Sequence, residues 1–192
     1  MSKQRNRHGN KPLPPVSPSP SLKPVNKIHQ AFTQKYLGKT NQIITDVKLT
    51  PPFDPKDYPG KSPYTPITKK ALWDTGATNS VIKGSVATEL GLVSVGVVEV
   101  SHGGGKQLCN KFLLNIILPN KVLAYSVLVT EGPETLNGFD VIIGMDIIIQ
   151  GDFAITNIDG KTCVSFRLPS MGRIDFVEEL NRLNAEASKQ KK

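Results

Sequence analysis

Residues 71–82 read Ala-Leu-Trp-Asp-Thr-Gly-Ala-Thr-Asn-Ser-Val-Ile and place a short turn between two apolar, strand-like runs. The one carboxylate in this stretch, Asp74, has apolar residues before it and after the turn. Because an unpaired carboxylate is costly to bury, a chain that directs one toward its core must hold it with hydrogen-bond donors. Gly76 allows a tight backbone turn, and the Thr75 hydroxyl can both donate and accept hydrogen bonds. The pattern therefore predicts a turn that displays Asp74 in a fixed pose.

A second apolar segment, residues 138–149, reads Gly-Phe-Asp-Val-Ile-Ile-Gly-Met-Asp-Ile-Ile-Ile. Its first half is an almost continuous apolar run, which is typical of a strand buried on both faces. Gly144 follows this run and would allow another part of the backbone to pack very close. The remainder, Met145–Ile149, is predicted to form a short helix.

Two short motifs within these segments resemble the signature of the retropepsin-like aspartic proteases, in the branch that includes bacterial stand-alone members: Asp74-Thr75-Gly76-Ala77 and Ile142-Ile143-Gly144. The resemblance covers roughly residues 42–168. It implies an all-β, single-lobe acid protease fold with a flap hairpin, one or two short helices and a C-terminal helix. It also implies that Asp74 is catalytic, that the next three residues form the active-site turn, and that the second motif packs beneath the catalytic pair.

Peptide hydrolysis by this chemistry needs two carboxylates that share one proton, because two like charges a few Å apart cannot both ionise. The chain contains one Asp-Thr-Gly and no Asp-Ser-Gly. The resemblance therefore implies a homodimer in which each chain supplies one Asp74 across a two-fold axis, acting on a protein or peptide in extended conformation. The alternative is a catalytically silent dimeric module of the same fold that binds a peptide or serves assembly.

Residues 93–118 are predicted to form a hairpin with a glycine-rich tip. In the resemblance this hairpin is the flap that closes over the substrate, so His102, Gly103, Gly104 and Gly105 are candidate substrate-binding residues. A flexible tip without contacts is the alternative. A glycine-rich phosphate cradle is disfavoured because no helix begins after the tip to supply its dipole. The histidine has no nucleophile in a recognisable frame beside it, so a surface position is favoured over a general base.

The chain departs from the pattern of many retroviral enzymes at two places. Those enzymes carry a further acid after the catalytic turn and an Arg just after the buried glycine, and the two form an ion pair near the dimer contact. Here the corresponding places hold Thr78, Asn79 and Met145-Asp146. The Gly-Met-Asp version is similar to the retrotransposon and cellular branches of the group. The departure bears on the dimer interface, not on the catalytic pair.

The basic charge is concentrated at the N-terminus. The first 40 residues carry eight of the 24 lysines and arginines and none of the 16 acidic residues, so the net charge of +8 belongs to this arm. We therefore expect a basic, Pro-rich disordered tail over 1–40, a protease domain over 41–170, and an amphipathic helix with a charged tail over 171–192. Contact with nucleic acid would involve only this arm, although a solvated tail is favoured. Trimming of the arm by the enzyme itself is a further hypothesis.

Several classes of protein are disfavoured by what the sequence lacks. No apolar run approaches the length of a membrane span and the first 30 residues lack the apolar segment of a secretory signal, so a cytoplasmic protein is expected. Cys109 and Cys163 are then expected to be free thiols. The three histidines show no ligand spacing, so neither a metal nor a cofactor is expected.

The other segments predict short elements around these motifs. Residues 51–66 form an unexpected insertion between the first two strands of the resemblance, and their aromatic residues predict an ordered loop. The remaining predictions are helical turns at 28–37, strands at 42–49, 67–73 and 122–130, a helix at 83–90, a hairpin at 153–167 and an amphipathic helix at 173–187.

Overall fold

The structure, a computed structural model, describes residues 21–23, 30–102 and 105–189. Its strands, in chain order, are β1 Ser21–Lys23, β2 Gln30–Lys35, β3 Ile44–Thr50, β4 Ile67–Trp73, β5 Val81–Lys83, β6 Gly96–His102, β7 Gly105–Ile117, β8 Leu123–Gly132, β9 Val141–Ile143, β10 Asp152–Ile158 and β11 Lys161–Leu168. Its helices are α1 Gly84–Glu89, α2 Met145–Ile148 and α3 Phe176–Lys189. The prediction of an all-β fold with short helices and a C-terminal helix is confirmed.

The strands of the described part form two sheets. The larger has the order β1-β8-β5-β9-β4-β3-β7-β6, and β7 also pairs with β8, so the sheet closes on itself. The smaller is antiparallel and has the order β10-β11-β2.

The position of β9 between β4 and β5 determines where the turn at 74–80 lies. β9 runs parallel to β4, with Trp73 opposite Ile143, and antiparallel to β5, with Val81 opposite Ile142. The chain from β4 to β5 must therefore cross over the C-terminal end of β9. Gly144 is the first residue beyond that end.

An aromatic cluster joins the two sheets directly behind Asp74. Trp73 stacks on Phe153 with ring centroids 5.5 Å apart, and its ring lies 5.0 Å from that of Phe166 and 5.5 Å from that of Phe32. The Trp73 indole N–H donates to Thr45 Oγ1 over 2.9 Å. The residue before the turn is thus held by both packing and a buried hydrogen bond.

The structure corrects one local prediction near the N-terminus. Residues 28–37 were expected to form helical turns, but Gln30–Lys35 is the strand β2, which pairs with β11 so that Phe32 lies opposite Phe166. A helix of one or two turns has little stability of its own, whereas the paired strand packs the partly buried Phe32 ring against the core. The strand also lies within the tail predicted over 1–40. Residues 1–20 and 24–29 of that tail lie outside the described residues.

The insertion at 51–66 contains neither strand nor helix, as predicted, and its aromatic side chains pack on one another. The Phe53 ring meets Tyr58 edge-on at 5.9 Å and lies 6.2 Å from Tyr64. The Asn115 amide fixes the Phe53 carbonyl to β7 over 3.1 Å. Within the described ranges, no helix combines the length and the apolar character that crossing a membrane requires.

Candidate active site

The turn at 74–80 holds Asp74 by its backbone and by its carboxylate. The Asp74 N–H donates to the Ile143 carbonyl over 3.0 Å, so the residue is bonded to β9. The Gly76 N–H donates to Asp74 Oδ1 over 2.8 Å, and the Ala77 N–H donates to the Asp74 carbonyl over 3.2 Å. The carboxylate is only half-buried, which differs from the expectation that it points toward the core. The turn lies over the C-terminal end of β9, at the surface of the chain.

Gly144 packs directly against this turn, as the sequence predicted. A Cβ at this position would lie 2.6 Å from the Asn79 carbonyl carbon and 2.9 Å from the Ala77 carbonyl oxygen. Both are backbone atoms, so no side chain can move aside to make room. The next two residues bond to the same turn, because Met145 N–H donates to the Ala77 carbonyl and Asp146 N–H to the Thr78 carbonyl, over 2.8 and 3.1 Å.

Ser80 and Asp146 form a second attachment that the sequence analysis missed. Ser80 is fully buried, and its N–H and Oγ–H donate to the two Asp146 carboxylate oxygens over 3.0 and 2.8 Å. Ser80 Oγ also accepts the Gly144 N–H over 3.1 Å. We call these contacts the Ser80–Asp146 clamp. The available signal was a serine just before an apolar strand together with an acid in the first turn of a helix.

Burial dominates the electrostatics of the clamp. Desolvation raises the pKa of Asp146, and the hydrogen bonds from Ser80 oppose that rise without cancelling it. Among the described residues no Lys or Arg forms an ion pair with this carboxylate. Asp146, which stands where the chain departs from the retroviral pattern, therefore fixes the turn by accepting hydrogen bonds from the uncharged donors of Ser80.

The outer part of the turn faces solvent in the single chain. Thr75, Gly76, Thr78 and Asn79 are exposed, and Ala77 is half-buried. No hydrogen bond between described residues involves the Thr75 hydroxyl. The turn is thus anchored at both ends and presents an uncovered outer surface between them.

The predicted hairpin is present as β6 and β7. The two strands pair with Val98 opposite Cys109 and with His102 opposite Gly105. Gly105 has a φ of 118°, a conformation that favours glycine. Gly103 and Gly104, two of the proposed flap residues, lie outside the described residues, as does the side chain of His102.

The residues predicted to act together fall into two groups. The motif around Asp74 and the motif of Ile142, Ile143 and Gly144 meet directly at the end of β9. The hairpin belongs to the same sheet, in which β7 and β6 come last in the strand order and β3 separates them from β4. In the described part of the chain no three His, Cys, Asp or Glu side chains are grouped so that they could hold a metal ion.

Comparisons with known proteins add two partial structural likenesses. No protein-family model matches the chain. No curated protein matches it either. Among solved structures, a retropepsin-like aspartic protease from Rickettsia conorii is similar at 10% identity and a TM-score of 0.45, over 74% of this chain and 97% of that one. A protein of unknown function from Legionella pneumophila is similar at 19% identity and a TM-score of 0.30, over 53% of this chain and 81% of that one.

Proposed function

We propose that this chain is an aspartic endopeptidase, in which two Asp74 carboxylates from the two chains of a homodimer activate a water molecule against a peptide bond. The observation that carries the proposal is the construction of the turn at 74–80. Asp74 is braced by a backbone N–H on its own carboxylate and by a bond to β9. The residue is half-buried, and its other carboxylate oxygen accepts no hydrogen bond from a described residue.

The single carboxylate requires a second copy of the turn. General acid and general base must both act on the same carbonyl, and one Asp74 cannot do both at once. The exposed outer surface of the turn supports a partner at this position. Thr75, whose hydroxyl bonds to no described residue, would then donate and accept hydrogen bonds across the two-fold axis and brace the pair.

In the dimer, one Asp74 is ionised and the other protonated. The ionised carboxylate takes a proton from the bound water as the water oxygen attacks the carbonyl carbon. The protonated carboxyl gives its proton to the carbonyl oxygen, so a neutral gem-diol forms. The carboxyl that took the water proton then gives it to the amide nitrogen, while the other carboxylate takes a proton from a gem-diol hydroxyl. The C–N bond breaks, an amine and a carboxylic acid leave, and the pair again holds one proton. Because both protonation states are needed, activity should be confined to mildly acidic pH.

The hairpin of β6 and β7 would act as the cover in this mechanism. Each of its two strands carries an exposed apolar side chain, Val97 on β6 and Leu108 on β7. An extended peptide would cover these side chains. Closure over the substrate would exclude bulk water from the two carboxylates and so strengthen their interactions.

The proposal is tested by incubating the purified protein with casein between pH 4 and 7 and identifying fragments by mass spectrometry. Asp74→Asn keeps the shape of the side chain but removes the titrating group. Asp57→Asn is the matched control, because Asp57 is exposed in the loop at 51–66. Each protein is assayed over a range of concentrations, since a dimeric site gives a rate that rises faster than linearly with enzyme.

Cleavage by wild type and Asp57→Asn but not by Asp74→Asn, with the non-linear concentration dependence, is the expected result. Equal cleavage by all three proteins would contradict the proposal. If none cleaves although each is folded and dimeric, the proposal also fails, and the silent peptide-binding module becomes the better account.

A further inference from the structure

The helix α3 has an apolar face that no described part of its own chain covers. Phe176, Leu180 and Leu183 recur at helical spacing and form one stripe, which we call the α3 stripe. Their exposed fractions are 65%, 58% and 47%, and every residue of the helix is exposed. Glu179 and Glu186, seven residues apart, border the stripe on one side. The helix carries three acids and two bases, Arg182 among them between the two glutamates, so its net charge is −1. It is an amphipathic element whose apolar face no described part of the chain covers.

The loop at 51–66 encloses a cleft against the sheet, which we call the loop cleft. Its volume is about 460 Å³, and its apolar surface comes from Phe53, Tyr58, Ile117, Leu123 and Tyr125. Clefts of this size and composition are typical of binding sites. The proposed catalytic mechanism makes no use of this region, which lies among different strands from Asp74.

The rim of the loop cleft is cationic. Lys56, Lys61 and Lys121 border it and are exposed, and none of them forms an ion pair with a described residue. The single acid of the lining, Asp54, accepts a hydrogen bond from the Lys56 backbone N–H over 2.9 Å. A ligand that fits this cleft should thus combine large apolar side chains with carboxylates beside them.

We infer that the loop cleft binds the α3 stripe of a second copy of this chain. The stripe supplies the apolar side chains, and Glu179 and Glu186 supply carboxylates along one edge that can meet the lysines of the rim. This is recognition of an amphipathic helix by an apolar groove. Reciprocal exchange of the two helices satisfies both features in both chains and closes the assembly as a dimer.

The path of the chain favours the helix of a partner over the chain's own. After Leu168, the Ser170 hydroxyl and the Met171 N–H bond to Asp152 of β10 over 2.5 and 2.9 Å, so the chain leaves β11 on the β10 side. The loop cleft lies toward the opposite side of β11, because Asn120, next to the rim lysine Lys121, bonds to the Gln30 carbonyl of β2. The chain leaves β11 at Leu168, which pairs with Gln30, and then moves toward β10 before the helix begins. No residue of α3 lines its own cleft.

A charge-exchange experiment tests this inference by analytical ultracentrifugation of the full chain. One variant carries Glu179→Lys and Glu186→Lys, and the other carries Lys56→Glu and Lys61→Glu. Each alone should dimerise at least about tenfold more weakly than wild type, because each pairs like charges across the interface. Mixing the two should restore dimerisation as a heterodimer, in which both helix and cleft pairs are again of opposite charge.

A second pair of variants tests the apolar contact. Leu180→Glu places a charge within the α3 stripe, whereas Asn181→Glu places the same charge on the exposed polar face beside it. Leu180→Glu should weaken dimerisation at least about tenfold and Asn181→Glu should leave it unchanged. Both sites are exposed in the single chain, so neither should change the thermal unfolding temperature of the monomer.

Three outcomes would overturn the inference: equal dimerisation of Leu180→Glu and Asn181→Glu, no restoration on mixing the charge variants, or a wild type that stays monomeric at high concentration. The last two are also what docking of α3 in its own chain or on an unrelated protein would give. The proposed function also requires a homodimer, so a wild type that stays monomeric would contradict both proposals, whereas equal dimerisation of the Leu180→Glu and Asn181→Glu proteins would contradict this inference alone.

Discussion

The turn at 74–80 and the hairpin of β6 and β7 are both connections within one sheet, but they are held in different ways. The turn is bonded at each end to β9 and α2, and its backbone touches Gly144 so closely that no Cβ fits between them. The tip of the hairpin, where β6 pairs with residues 105–110 of β7, extends beyond the stretch of β7 that pairs with β8, and it carries exposed apolar side chains. The proposed mechanism thus uses one region that is packed and bonded on both sides, the turn, and one that extends from the sheet, the hairpin. Matched substitutions in the two regions should therefore have unequal effects.

The largest difference is expected for glycine to alanine substitutions. Gly144→Ala forces a Cβ against the backbone of Ala77 and Asn79 and should cost about 3 kcal/mol of unfolding free energy. Gly96→Ala, at the start of β6, has open space around the new Cβ and should change stability by no more than about 0.5 kcal/mol. Urea unfolding of both variants measures the two values. Equal losses would show that the turn is not closely packed.

Removal of a serine hydroxyl should give the next largest contrast. Ser80→Ala leaves the buried Gly144 N–H without its acceptor and removes a donor from Asp146, so it should cost about 1–3 kcal/mol. Ser94→Ala removes an exposed hydroxyl that donates to the Gly96 carbonyl before β6, and its effect should stay within about 0.5 kcal/mol. The same urea titration distinguishes them. A Ser80→Ala protein as stable as wild type would contradict the role given to the clamp.

The pH dependence of stability tests the same clamp. Burial raises the pKa of Asp146 above its unfolded value of 3.8, so the folded state holds this proton more tightly than the unfolded state does. The stability of wild type relative to Asp146→Asn should therefore fall as pH rises from 3.8 through the folded pKa, and should then become constant. Unfolding free energies of the two proteins between pH 3 and 7 give this difference. A difference that increases with pH would mean that the carboxylate is stabilised in its charged form.

Neutralising a lysine should give the smallest effects. Lys106 pairs with Glu99 on the hairpin and its side chain is 69% exposed. Lys83, at the end of the strand that follows the turn, pairs with Asp140 and is 16% exposed. Lys106→Met should change the unfolding free energy by less than about 0.5 kcal/mol, and Lys83→Met should cost about 1 kcal/mol. Addition of 1 M NaCl should reduce the first effect further. A larger loss of unfolding free energy for Lys106→Met than for Lys83→Met would contradict this prediction.

Most of the fold was predictable because its signals are local. The apolar run before Gly144 and the glycine itself predicted both a buried strand and a close backbone contact, and both are present. β2 was not predictable, because its neighbourhood in sequence has a weak pattern of its own and becomes a strand only through pairing with β11. The Ser80–Asp146 clamp was missed for a similar reason, since its partners are 66 residues apart and neither local pattern says which residue the other side chain meets.

The central claim, that catalysis needs one Asp74 from each of two chains, is tested most directly by mixing wild type with Asp74→Asn. A subunit that carries the Asp74→Asn substitution should fold and associate normally but disable any dimer it enters. At equal amounts of the two proteins, after exchange of subunits, cleavage of casein per wild-type chain should fall to roughly half, and it should approach zero with excess variant. Cleavage per wild-type chain that is unchanged at every ratio would mean that a single chain carries a complete active site, and would contradict the account.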